Sequence, residues 1–310
     1  MQIEYRFILF QCMIIIPFLL GIWIKRRMAY AEKYTKVLIL INLTTMAPVI
    51  SLWSIWGLSI QLDLIFLPLS GFLLVLIGMI CGVIISFFMK LSQNSKTSFL
   101  ISSSLANHGF TMGGFICYLL LGETGLGMAN IFILYFVFYV FLIIFPFAMK
   151  MSHSAVQSAR PLDLFINIRN MPLYASLLAI GFNLLHVQRP AIHLNIDIIL
   201  LISMCLYYFT LGIHFQHNDL WGFIKENIAI CIVKFCIVPL FAILLVSIFE
   251  IDHHIKRVII IQSCMPAAIY SVITSILFDL DVRLSSSVFV INSLFFLFMV
   301  LPIVLFFNLI

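Results

Sequence analysis

Charge is what this sequence has least of: Asp, Glu, Lys and Arg make up 9% of 310 residues, against roughly 25% in an average soluble domain. With 64% apolar and 15% aromatic residues there is too little polar surface to coat a globule, which excludes a water-soluble enzyme. Carboxylates are also missing from the middle of every apolar run. Glu32, Asp63, Glu123, Asp163, Asp197, Asp219, Glu226, Glu250, Asp252, Asp279 and Asp281 all lie near run ends. Their placement argues against a proton relay of carboxylates and against an intramembrane aspartyl protease, which needs two embedded acids. The seven cysteines, Cys12, Cys81, Cys117, Cys205, Cys231, Cys236 and Cys264, show no Cys-x-x-Cys spacing and no His or carboxylate partners at metal-ligand intervals. They read as small buried apolar residues, and no cofactor or metal is expected. A small-residue cleavage site is absent after the apolar stretch that ends at Ile24, so that stretch is expected to stay as a first helix.

What is present is hydrophobic length. Mean hydropathy is +1.19, and apolar runs of about 20 residues recur from Ile8 to Phe307, each long enough to cross a bilayer. Ten spans are predicted, at about 7–24, 37–58, 66–89, 97–121, 127–148, 170–187, 194–214, 227–249, 255–278 and 284–308, with boundary errors of about 2–4 residues. No second, soluble domain fits in the remainder. The net charge of +5 is no sign of nucleic acid, because the basic residues sit at the ends of runs, where they orient helices. Of 17 Lys and Arg residues, 12 fall on one side of a ten-span chain: Lys25, Arg26, Arg27, Lys33, Lys36, Lys90, Lys96, Lys150, Arg160, Arg169, Lys225 and Arg283. Arg6, Arg189, Lys256 and Arg257 fall on the other, and Lys234 lies within the eighth span. The imbalance puts both termini outside the cytoplasm.

Sliding the halves by about 155 residues aligns Pro17 with Pro172, Glu123 with Asp279 and Pro146 with Pro302. Five spans is an odd number, so a second copy must enter the membrane inverted, the arrangement of many secondary transporters. The expected division is a first five-helix repeat over 1–148, a cytoplasmic connection over 149–169 and an inverted second repeat over 170–310. The fold class is therefore an all-α polytopic membrane protein, ten transmembrane helices in two inverted repeats, with helices four and nine broken.

The breaks are read from polar and helix-weakening residues at mid-span. Ser102-Ser103-Ser104-Leu105-Ala106-Asn107-His108-Gly109, with Gly113-Gly114 beyond, interrupts the fourth span, and Gln262-Ser263-Cys264-Met265-Pro266 interrupts the ninth. Proline lacks the ladder N–H, and glycine lowers the cost of leaving helical geometry. Pro266 suits the first position of an outgoing half-helix, whose free N–H groups and positive dipole end attract an anion. One such kink would be ordinary membrane-helix packing; two at matching places favour a substrate site. Gly78 and Gly82, spaced as Gly-x-x-x-Gly, read as close helix packing. Lys234 is either a positive partner for an anionic substrate or a side chain that snorkels to a nearby helix end. His108 lies at a break, where its imidazole is either a proton carrier or a neutral ring satisfied by freed backbone groups. Asn42 and Pro48 read as packing and kinking, while His153, His186, His193, His214, His217, His253 and His254 lie near helix ends.

At these residues the sequence resembles the auxin efflux carrier family, which includes bacterial carriers of malate-like acids and plant PIN-type carriers; the likeness is to a bacterial-type member. Gln262-Ser263-Cys264-Met265-Pro266-Ala267-Ala268-Ile269, then Asp279-Leu280-Asp281 and a last apolar run with Pro302, looks like that family's second crossover and final span. Asn107-His108-Gly109-Phe110 resembles its first crossover, and Gly122-Glu123-x-Gly125-Leu126 the stretch C-terminal to that crossover. Where the family usually has a proline after the first crossover, Gly113-Gly114-Phe115 stands here. The resemblance implies ten helices, external termini, crossed broken helices, Asn107 as a polar contact to substrate and Pro266 at the second break. The function expected is secondary transport of a small organic anion such as a carboxylate by alternating access, in the plasma membrane (a bacterial inner membrane), without enzyme activity. Alternatives are a sodium-coupled symporter like the bile-acid carriers and, further off, a channel. Expected site residues are Asn107, His108, Gly109, Met265, Pro266 and Lys234; expected partners are the anion, the bilayer, a coupling proton or sodium ion and a second copy of the chain in a homodimer.

Overall fold

Apolar backbone that cannot hydrogen-bond to water must satisfy its own N–H and C=O groups, and an α-helix does this within one segment. The computed structural model describes residues 3–28, 30–109, 112–152, 168–192, 194–214 and 222–306, and their regular structure is helical. Most of the connection predicted over 149–169 lies outside the described residues. Among the described residues, five helical stretches are long and apolar enough to cross a membrane: Lys33–Trp56, Leu62–Ser86, Gly113–Met151, Ile224–Ile248 and Val282–Leu305. Met171–Leu184 and Ile196–Thr210 are shorter apolar helices. The predicted fourth and ninth spans are divided, into Gln93–Ser104 and a helix from Gly113, and into His253–Ser263 and Ile269–Leu277. The long stretch Gly113–Met151 is itself interrupted at Gly122 (φ +69°, ψ −156°), a conformation open to glycine and costly for other residues.

Four π-helical segments have one cause. Asn42–Met46, Val140–Ile144, Val233–Ile237 and Phe296–Val300 each end two residues before a proline: Pro48, Pro146, Pro239 and Pro302. A proline inside an α-helix leaves the carbonyl four residues back without its donor and collides with it. Here the residue before each proline bonds five residues back instead: Ala47 N to Asn42 O, Phe145 N to Val140 O, Val238 N to Val233 O and Leu301 N to Phe296 O. The wider turn makes room for the ring, and the helix continues.

Contacts divide the chain into two interleaved units, Met1–Leu62 with Gly109–Ile131 and Ile166–Gln216, and Asp63–His108 with Phe132–Phe165 and His217–Ile310. In the first unit, Ile3–Arg27 packs along Ile196–His214 and Ala47–Trp56 along Met171–Leu184. Gly21 and Gly212 let the first pair of backbones touch: a Cβ at Gly21 would strike Phe209 O, and one at Gly212 would strike Phe18 O. Asn42 and Ser203 exchange bonds, Nδ2 to Ser203 O at 2.9 Å and Ser203 Oγ to Asn42 Oδ1 at 2.7 Å, so Asn42 does serve packing. Arg189 pairs with Glu123, donates to Trp53 O and lies over the Trp53 ring.

In the second unit, Phe99, Leu100, Ile230, Ala267, Leu284 and Val288 form a buried cluster. Gly78 and Gly82 do pack closely, against Ser103. Helix starts are fixed by side-chain caps, with Ser92 accepting from Ser95 N, Asp252 from His254 N and Asp281 from Leu284 N, each satisfying a first-turn donor.

Candidate functional site

The site is built where Gln93–Ser104 and His253–Ser263 stop. Ser104 ends the first of these, and Leu105 is already extended (φ −70°, ψ +132°). After the second, Cys264 N and Met265 N turn back onto Ile261 O and Gln262 O, and Ala268 is extended (φ −76°, ψ +144°) before the helix restarts at Ile269. The two extended segments pair as a short antiparallel bridge at Ala106 and Ala267. Asn107 N donates to Pro266 O at 2.8 Å, and Ala268 N to Leu105 O at 3.1 Å. Main-chain groups that each break takes out of its helix are thus satisfied by the other break, as the water-poor interior requires.

This pairing corrects one expectation. Pro266 is not the first residue of the outgoing half-helix: Ala268 is its N-cap and Ile269 its first residue. Proline keeps its carbonyl while losing its N–H, so in the bridge it serves as an acceptor at a position where no donor is needed.

Side chains gather round the bridge. Lys234 lies on the π segment Val233–Ile237, is 1% exposed, and donates from Nζ to Ser104 O at 2.8 Å. It reaches the end of a broken helix and does not snorkel outward. Ser104 Oγ donates to Val75 O at 2.9 Å and hydrogen-bonds Tyr139 OH at 2.7 Å. On the other flank His108 Nδ1 hydrogen-bonds Tyr135 OH at 2.7 Å, and its ring stands edge-on to Phe132. Of the other serines in this span, Ser98 Oγ meets Ser275 Oγ at 3.0 Å and Ser103 Oγ donates to Leu100 O, while Ser102 Oγ is buried without a partner.

Asn107, His108, Met265, Pro266 and Lys234 all lie in the second unit, joined through Ser104 and the bridge. Gly109 does not join them; it belongs to the first unit, where its carbonyl accepts from Met112 N and Gly114 N. Among the described residues Lys234 is the buried member of the basic set, and no Asp or Glu is buried. His186, His253 and His254 are exposed; His153, His193 and His217 lie outside the described residues, as does the side chain of His214. Sequence reading missed Tyr135, Tyr139 and the part played by Ser104. A signal was available: Tyr135 and Tyr139 are four residues apart in an otherwise apolar run, hence on one helix face.

The arrangement brings a donor-rich side chain, a pair of breaks and hydroxyl groups together in an apolar protein. The sequence description of the family "Membrane transport protein" matches residues 9–304. No curated protein matches the chain. With nearly every residue covered, the chain belongs to the membrane transport protein family, that of the auxin efflux carriers, and is an integral membrane transporter of that type.

Proposed function

We propose that the protein is a secondary carrier that moves a small organic anion, a carboxylate, by alternating access around the breaks at Ser104–His108 and Met265–Ala268. In this reading the chain makes ten spans as two inverted repeats, 1–148 and 170–310, with both termini on the outer side of a bacterial inner membrane. Several features support the repeat. Val140–Ile144 and Phe296–Val300 are π segments 156 residues apart, each followed by its proline. Gly122 and Asp279, both of positive φ, lie 157 residues apart. The packing of Ile3–Arg27 on Ile196–His214 and of Met171–Leu184 on Ala47–Trp56 is also what exchange of two equivalent halves gives, since each joins the first span of one half to the second of the other.

One observation carries the anion. Lys234 is buried against Ser104 O with no buried Asp or Glu among the described residues to balance it. Placing a lysine at such depth costs about 2.5–3.5 kcal/mol on insertion scales, and a bound carboxylate offsets that cost. Purified protein should melt at a higher temperature with phenylacetate or succinate, at several pH values with and without sodium, because a ligand bound only by the folded state stabilises it. No shift from any carboxylate under any of these conditions would refute the reading. Dependence of the shift on sodium, or on pH, identifies the coupling ion.

A further inference from the structure

The last long helix carries polar groups that the fold leaves unused. On Val282–Phe295, Leu284 and Val288 pack in one cluster with Phe99, Leu100, Ile230 and Ala267. Asn292 stands four residues beyond Val288, so it continues the same face about 6 Å further along. Its side chain is 0% exposed, and neither Oδ1 nor Nδ2 has a partner. Ser293 Oγ beside it is buried and unpartnered, as is Ser102 Oγ, one turn beyond Phe99 of the same cluster.

Depth locates these groups. Ser95 Oγ donates to Asp281 Oδ2 where Gln93–Ser104 and Val282–Phe295 both begin, and the shared cluster further along shows that the two helices run the same way. Asn292 then lies about 16 Å past Asp281, near the middle of a hydrocarbon layer of about 30 Å. That is the level at which Gln93–Ser104 ends and Lys234 meets Ser104 O. Ala267, a member of the cluster that holds Val288, is the bridge partner of Ala106.

A buried amide with both functions unpaired is costly in an apolar interior, and a leucine there would extend the apolar face of Leu284 and Val288 at no such cost. The chemistry of the group selects its occupant. A metal ion would use Oδ1 and leave two N–H donors unpaired, whereas a carboxylate accepts from Nδ2, and a hydroxyl or water accompanying it donates to Oδ1. We propose that Asn292 is a further binding residue for the transported anion, donating from Nδ2 to its carboxylate. The inference rests on the anion-carrier reading above.

The test pairs stability with affinity in Asn292→Leu, which keeps the branching at Cγ, and in Asn292→Ala, which covers the case where leucine is too bulky. Melting temperature and affinity for phenylacetate and succinate are measured on the purified full chain, beside Lys234→Met. At least one Asn292 variant should melt at or above the wild type while binding the carboxylate about tenfold more weakly, as loss of a charge-assisted hydrogen bond implies. If both variants melt well below the wild type, the side chain serves the fold and the proposal is overturned. If an intact variant keeps wild-type affinity while Lys234→Met loses it, the proposal falls and the anion reading stands. If the wild type binds neither carboxylate, both fall together.

Discussion

Replacing Lys234 by Met separates what the fold asks of this side chain from what a ligand asks of it. Methionine keeps the unbranched stem and buries readily but has no N–H. Nζ donates to Ser104 O at 2.8 Å, and a buried carbonyl stripped of its donor costs about 1–3 kcal/mol. Removing the amine from hydrocarbon depth returns about 2.5–3.5 kcal/mol on insertion scales. The terms offset, so the melting temperature of Lys234→Met should stay within about 5 °C of the wild type. Binding should respond far more. From Ser104 the chain runs extended toward Asn107 at about 3.3 Å per residue, which puts an anion held by Asn107 roughly 10 Å from Nζ. A unit charge pair at that separation, in an effective dielectric of about 20, interacts by about 1.7 kcal/mol, or about fifteenfold in affinity. Titration calorimetry of phenylacetate or succinate into both proteins measures this. An intact Lys234→Met protein whose affinity is within about threefold of the wild type would refute a role for the lysine charge.

Gly122 has no atom within 4 Å of where a Cβ would stand, so Gly122→Ala isolates backbone conformation and should lower stability by about 1–3 kcal/mol; an unchanged melting curve would contradict the positive φ. Because His108 and Tyr135 share one buried hydrogen bond, His108→Gln and Tyr135→Phe should be non-additive in a thermal double-mutant cycle, with a coupling of about 1 kcal/mol. Additive losses would separate the two residues. The basic-residue count predicts that a reporter active only in the cytoplasm is silent when fused after Ile310 and active between Lys150 and Arg160. Activity at Ile310 would mean a reversed chain or an odd number of spans.

Where the chain leaves helical geometry is legible because it needs particular local residues. Ser102 to Gly109 and Gln262 to Pro266 read as breaks from composition alone, and within them helices end at Ser104 and Ser263. Which break pairs with which atom is not legible. Ala106 and Ala267 are 161 residues apart, and an alanine carries no side-chain signal for a main-chain bond. The same limit explains Pro266: propensity places proline at a helix start, but the bridge uses its carbonyl and keeps the chain out of helical geometry through Ala268. Lys234 can be placed in a span but not aimed, because snorkelling and inward contact use the same flexible stem. The prolines at 48, 146, 239 and 302 are visible in the sequence. The π turns that accommodate them depend on how a helix relieves the clash, and a kink would have served as well. Gly109, adjacent to His108 in sequence, packs in the other unit, a division that no local pattern encodes.

The central claim, that the paired breaks hold a carboxylate, is tested most directly by equilibrium binding of phenylacetate and succinate to the wild type and to Asn107→Ala. The backbone N–H of Asn107 donates to Pro266 O and is kept in the variant, whose melting temperature is measured beside its affinity. Loss of a side-chain hydrogen bond to a charged ligand should weaken binding about tenfold. Wild-type affinity in a stable Asn107→Ala protein, or no carboxylate binding by the wild type, would contradict the account.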